Sequence, residues 1–151
     1  MVDNAQLAGR LFNFVPAITA KNAANVAAAD LRRQLGASAV NVIADISSDL
    51  AVPATIPATG SWTSPILPSY GMAHVSFAGK MNQNGNAVIS RYADLTGALL
   101  VASTTVNITA NSVFQVDVAS TVLFQAFSVG ISNSASSVAT LSSYIGLLAK
   151  D

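Results

Sequence analysis

The sequence has no cysteine and no glutamate. Without cysteine it uses no disulfides, and its redox compartment stays open. Every acidic side chain is Asp, and charged residues make up 9% of the chain, well under the usual quarter. Seven basic and seven acidic residues cancel to a net charge of zero. That balance leaves no electrostatic footprint for nucleic acid, and Arg32-Arg33 is a basic pair with no stripe around it. No run of about 20 apolar residues occurs, because Gln115, Asp117 and Gln125 interrupt the best candidate, so no membrane span is expected. The N-terminus begins with Asp3 and has no basic region before an apolar run, so no targeting segment is expected either.

What the chain does have is β-forming sequence. Its 151 residues fit one domain with an arm attached and can bury roughly two thirds of the unfolded surface without metal or disulfide. The last third holds three runs rich in β-branched and aromatic residues, Val113–Val118, Val122–Ile131 and Val138–Leu148, separated by small polar residues. From Val118 to Ala149 there is no charged side chain. Charge keeps strand edges from pairing with other molecules, so this stretch is expected to be covered by other protein, and the chain to be a subunit of an assembly.

Along the chain, Asn22 is placed to cap a helix over Ala23–Leu35, with Gly36 as its stop. Its apolar stripe is thin, so it must dock or remain an arm. Leu11, Phe12 and Phe14 put large apolar groups near the start. Val40–Ile46 reads as strand or helical turn. Pro53, Pro57, Pro65 and Pro68 punctuate the next stretch, and Ala51–Ala58 reads as an extended linker. Ser61–Leu67 is then a first edge strand, where Pro65 is tolerated. In Met72–Ala78, Val75 and Phe77 alternate with His74 and Ser76. Asn84-Gly85 signals a hairpin turn into Ala87–Ala93. Thr96-Gly97 turns into Ala98–Val106, and in the last run Leu141, Ile145 and Leu147 should share a face opposite Thr140, Ser142 and Tyr144. Seven or eight strands at this spacing predict a mainly β chain, an antiparallel β-sandwich or jelly roll over residues 59–151. Residues 1–58 precede it as an N-terminal arm containing a short helix and a Pro-rich linker.

The chemistry-bearing residues are few. His74 has no orienting partner and no further ligands in its pattern, so it reads as outward-facing or satisfied. Asp45 and Asp49 lie one helical turn apart, but no third ligand or Gly-rich acidic loop accompanies them, and capping is the better reading. Asp94 and Asp117 fall near strand ends, where Asp serves turns, although Asp117 could lie within its strand. Neither a phosphate-cradling loop nor a nucleophile elbow occurs, and a hydroxyl without an activating base is no nucleophile. Asn107-Ile108-Thr109 is only a formal glycosylation match. Trp62, Tyr70, Tyr92 and Tyr144 could stack on sugar, but aromatics spread over a core-forming domain read first as packing. No enzyme, cofactor, metal or small-molecule substrate is expected.

Ser61-Trp62-Thr63-Ser64-Pro65 after its Pro-rich lead-in, Asp94-Leu95-Thr96-Gly97, Phe114-Gln115-Val116-Asp117-Val118, Phe127 to Asn133 and Ala139-Thr140 together resemble the small jelly-roll proteins of tailed bacteriophages. Among these the pattern is most similar to head decoration, or cement, proteins. The resemblance covers about residues 60–148 and implies a homotrimer on the outer capsid surface of the virion, made in the host cytoplasm. It implies that the trimer clamps adjacent major capsid protein subunits with an N-terminal arm, and it carries no catalytic residues. Leu11, Phe12, Phe14, Arg32 and Arg33 are the candidate partner contacts. A trimeric host-recognition module that binds glycan is the alternative, and it requires Trp62 and Tyr144 to be exposed and adjacent.

Overall fold

The computed structural model describes residues 43–119 and 123–150. Among them ten strands form two antiparallel sheets packed face to face. They are β1 (Ile43–Asp45), β2 (Thr55–Ile56), β3 (Ser61–Thr63), β4 (Leu67–Pro68), β5 (His74–Met81), β6 (Gly85–Tyr92), β7 (Leu100–Ile108), β8 (Val113–Ala119), β9 (Ala126–Asn133) and β10 (Ala139–Ala149), with one helical turn, α1 (Ser47–Leu50), after β1. The first sheet runs β1-β10-β5-β8 with β2 beside β10, and the second runs β3-β9-β6-β7 with β4 beside β9.

This order is that of one long ribbon folded over on itself. The hairpin β6–β7 is its tip. Moving outward, β5 pairs with β8, β3 and β4 pair with β9, and β1 and β2 pair with β10. Wrapping such a ribbon into two sheets makes a jelly roll, as the strand spacing predicts.

The ribbon must bend from one sheet to the other three times, and each bend is tied to its partner strand. At the first, Asn111 donates its backbone N–H to the Met81 carbonyl at 2.8 Å, and Ala110 N–H donates to Asn84 Oδ1 at 2.8 Å. At the second, Ser69 donates its N–H to the Gln125 carbonyl and its hydroxyl to the Phe124 carbonyl. At the third, buried Asn133 donates from Nδ2 to the carbonyls of Pro57 and Ser137, while Thr59 N–H donates to the Ala135 carbonyl. Non-glycine residues in the left-handed region mark the same three places, namely Asn111, Tyr70 and Thr59. Such backbone is strained for side-chain-bearing residues and persists because the surroundings hold it.

Asn84-Gly85 therefore makes no hairpin, contrary to the sequence reading, because β5 and β6 belong to different sheets. Neither residue adopts positive φ. Gly85 is glycine for want of room, since an added Cβ would lie 1.9 Å from the Ser132 carbonyl oxygen.

The core lies between the sheets. Val75, Phe77, Met81, Ile89, Val116, Phe127, Val129, Ile131 and Leu148 are buried there. Alternation along β8 is strict: Phe114, Val116 and Val118 point in, and Gln115 and Asp117 point out. Each fully buried aliphatic or aromatic side chain contributes roughly 1.5–3 kcal/mol.

Three further expectations change. Residues 43–58 were read as arm and linker, yet β1 and β2 pair with β10, and Ile46, Leu50 and Ile56 are buried in the core. Proline removes ladder donors but leaves room for short edge segments between prolines. In β10 the face assignment flips partway. The pairing shifts between Leu141 and Ser143, so Ser142 is an extra residue, and a bulge reverses which side chains point inward. Leu141 and Leu148 are buried as a result, while Ile145 is exposed. Finally, the uncharged stretch Val118–Ala149 is covered by its own chain in part: β9 is enclosed, while β10 leaves Thr140 and residues 142–145 exposed. β9 and β10 are interior strands of their sheets, and β9 is buried on both faces. Its outward residues are small: Ser128 shares a hydrogen bond with the Tyr92 hydroxyl at 3.2 Å, and Gly130 lies under Val88.

Candidate interaction surface

The most distinctive surface is the ribbon's tip. β6 and β7 are joined by residues 93–99, closed by the Ala93 N–H to Leu99 carbonyl hydrogen bond at 2.9 Å. Inside this loop Asp94 accepts from Leu99 N–H at 2.8 Å, from Ala98 N–H and Thr96 N–H at 3.2 Å each, and from the Thr96 hydroxyl. The Thr96 hydroxyl, then the Leu99 N–H, hold its carboxyl at about 2, below the usual value of 3.8. Hydrogen bonds to a carboxylate favour the charged form, so Asp94 is an anion at neutral pH and organises the loop around itself. Gly97 adopts φ +77° and sits against Ile66.

On this fixed loop Leu95 and Leu99 are 61% and 63% exposed, and Leu100, the first residue of β7, is 59% exposed. Turns are ordinarily polar and single exposed leucines need no explanation, so three exposed leucines within six residues of one hairpin tip are a candidate interaction surface. Sequence reasoning placed Leu99 and Leu100 in a strand, where Leu100 does open β7, but it did not foresee that both would stand out into solvent. The available signal was three leucines flanking an Asp-x-Thr-Gly turn.

A second apolar feature lies at the surface of the first sheet, around residues 143–145 of β10. Val113 of β8, Ala78 and Gly79 of β5, and Ser143, Tyr144 and Ile145 of β10 line an open hollow of about 270 Å³. Gly79 is in phase with the inward Phe77 and Met81, and a Cβ there would lie 3.0 Å from the ring of buried Phe114. Tyr144 is about one-third exposed, with its ring 6.5 Å from that of buried Phe77. A hollow of equal size on the outer face of the second sheet has more polar walls, including Thr63, Asn86, Thr105 and Ser132.

The residues singled out from sequence are scattered. His74 opens β5 opposite Ala119 and Ala149. Asp45 accepts from the Ser47 N–H at 2.8 Å, and the Ser47 side chain and then its N–H lower its pKa; it serves the start of α1, where Asp49 lies. Asp117 faces outward from mid-strand in β8. Among the described residues no group of three or more His, Cys, Asp or Glu side chains could hold a metal ion, and no helix is long and apolar enough to cross a membrane. Trp62 packs half-buried against the core from the second sheet, and Tyr144 lies on the first, so the pair is not the shared platform that a glycan site would need. The expected helix over residues 23–35 and the candidate contacts Leu11, Phe12, Phe14, Arg32 and Arg33 lie outside the described residues.

No family model matches this chain, and no curated protein does. Among solved structures, the crystal structure of PBSX exported protein XepA is similar, with a TM-score of 0.50 at 13% sequence identity. The match covers 74% of this chain and 36% of that one. At such identity the likeness is one of fold, and this chain corresponds to little more than a third of that protein's length.

Proposed function

We propose that this chain is a structural, non-enzymatic virion protein of a tailed bacteriophage. It decorates the outer capsid surface and stabilises it by bridging neighbouring major capsid protein subunits, as a homotrimer. The observation that carries this reading is the ordered β6–β7 tip, which holds Leu95, Leu99 and Leu100 out as exposed apolar surface. The jelly roll is a frequent architecture of viral capsid proteins, although fold alone does not assign function. The likeness to the PBSX exported protein XepA is one of fold and is compatible with this reading.

Mechanically, the reading needs no strong single contact. A trimer that touches several capsid subunits at once multiplies weak contacts through effective concentration. A chain with zero net charge resists such association little. The N-terminal segment, with Leu11, Phe12, Phe14, Arg32 and Arg33, is assigned the grip on the capsid, where an extended segment could add a strand to an open edge.

The test is co-sedimentation with purified DNA-filled heads. The full chain should bind to saturation, and a chain lacking residues 1–35 should lose binding while its β-type circular dichroism is kept. Unchanged occupancy after that deletion would reject the assigned grip, and no binding by the full chain would reject the decorating role.

A further inference from the structure

The apolar loop and the apolar hollow are separate patches of one molecule, and their properties match. We infer that the leucine-bearing loop of one copy seats in the hollow on the first sheet of a second copy, through a contact that deepens the homotrimer reading above and rests on it. Both surfaces are held in shape before they meet. Asp94 fixes the loop through hydrogen bonds at 2.8 and 3.2 Å, and the ladders that join β5 to β8 and, past the bulge at Ser142, to β10 frame the hollow. Preformed surfaces lose little freedom on binding. The hollow, about 270 Å³ and walled by Val113, Tyr144 and Ile145, has room for aliphatic side chains projecting from a loop.

Charge agrees with the same pairing. The charged group in the loop is Asp94, held ionised by its own turn. At the hollow's rim it is Lys80, exposed and cross-strand to both Val113 and Ser143. Opposite charges at the edge of an apolar contact set its orientation. Two copies joined tip to tip would instead bring two Asp94 carboxylates together. Because two different patches meet, the contact is head-to-tail, the kind that closes into rings such as trimers.

The absence of cysteine from the sequence makes a clean test possible. Leu99→Cys and Ile145→Cys are introduced separately into the full chain. The two proteins are mixed, oxidised, and run on a non-reducing gel. The mixture should give covalent dimers containing one copy of each variant, while each variant alone stays uncross-linked. Putting both substitutions in one chain should give covalent species of three copies. Absence of cross-links in the mixture overturns the contact, as does equal dimer formation by Leu99→Cys alone. If Ile145→Cys folds poorly, Val113→Cys, at a 76% exposed position, takes its place. Cross-linking without binding to heads keeps this contact and removes the decorating role, and head binding without cross-linking does the reverse.

Discussion

Gly85 shows how much one residue can decide. It pairs with Ile108 on one side and Asn133 on the other, where the ribbon turns into the second sheet. A methyl group there would meet the Ser132 carbonyl and the Met81 side chain. Backbone on one side of the site cannot give way as a flexible side chain would. Gly85→Ala should therefore cost about 1–3 kcal/mol, the usual penalty of overpacking, read as a lower urea midpoint at unchanged slope. The dipeptide Asn84-Gly85 was visible in the sequence as a change of direction. Its partner strands were not, because a turn signal is local and sheet membership is set by residues far along the chain, here Ile108 and Asn133. Ser142 is a similar case. Nothing in the alternation of β10 announces an extra residue, yet it decides that Leu148 is buried and Ile145 is not.

At the scale of an element, the β6–β7 tip is the piece that sequence described best. Thr96-Gly97 reads as a turn and is one, because the bonds that shape the loop lie within five residues of Asp94. Its pH dependence follows from the direction of the Asp94 shift. The folded carboxyl titrates at about 2 against an ordinary 3.8, so the folded state favours the ionised form. That contribution is complete above the unfolded value and is lost as pH falls from about 4 toward 2. Thermal melts of the parent chain should lose stability across that window. Asp94→Asn should start lower at pH 7 and fall less between pH 4 and 2. An identical acid profile for both proteins would remove Asp94 as the organiser of the loop. The exposed leucines carried by this element were harder to read, since a leucine beside a turn looks the same in sequence whether it folds inward or stands out.

For the whole molecule, the ribbon topology explains why the mainly β, jelly-roll class was legible and the start of the sandwich was not. Strands at regular spacing reveal the class, but the outermost turn of the ribbon is made of very short pieces, β1, α1 and β2, in Pro-rich sequence. Their evidence is burial: Leu50 and Ile56 are fully enclosed, with Leu50 against Gly146 of β10. Losing a buried Leu or Ile costs about 2–5 kcal/mol each, against a typical total of about 5–15 kcal/mol. A chain starting at residue 59 should thus show no cooperative urea transition, whereas the full chain should. A cooperative transition in the shortened chain would restore residues 43–58 to the role of linker.

The pairing of Ile43 with Ala149 has a practical corollary. A peptide or fluorescent protein fused after residue 150 would therefore emerge beside Ile43, at the β1 edge of the first sheet. Cargo joined there would crowd the β1–β10 ladder, and a long, thin spacer would be the remedy.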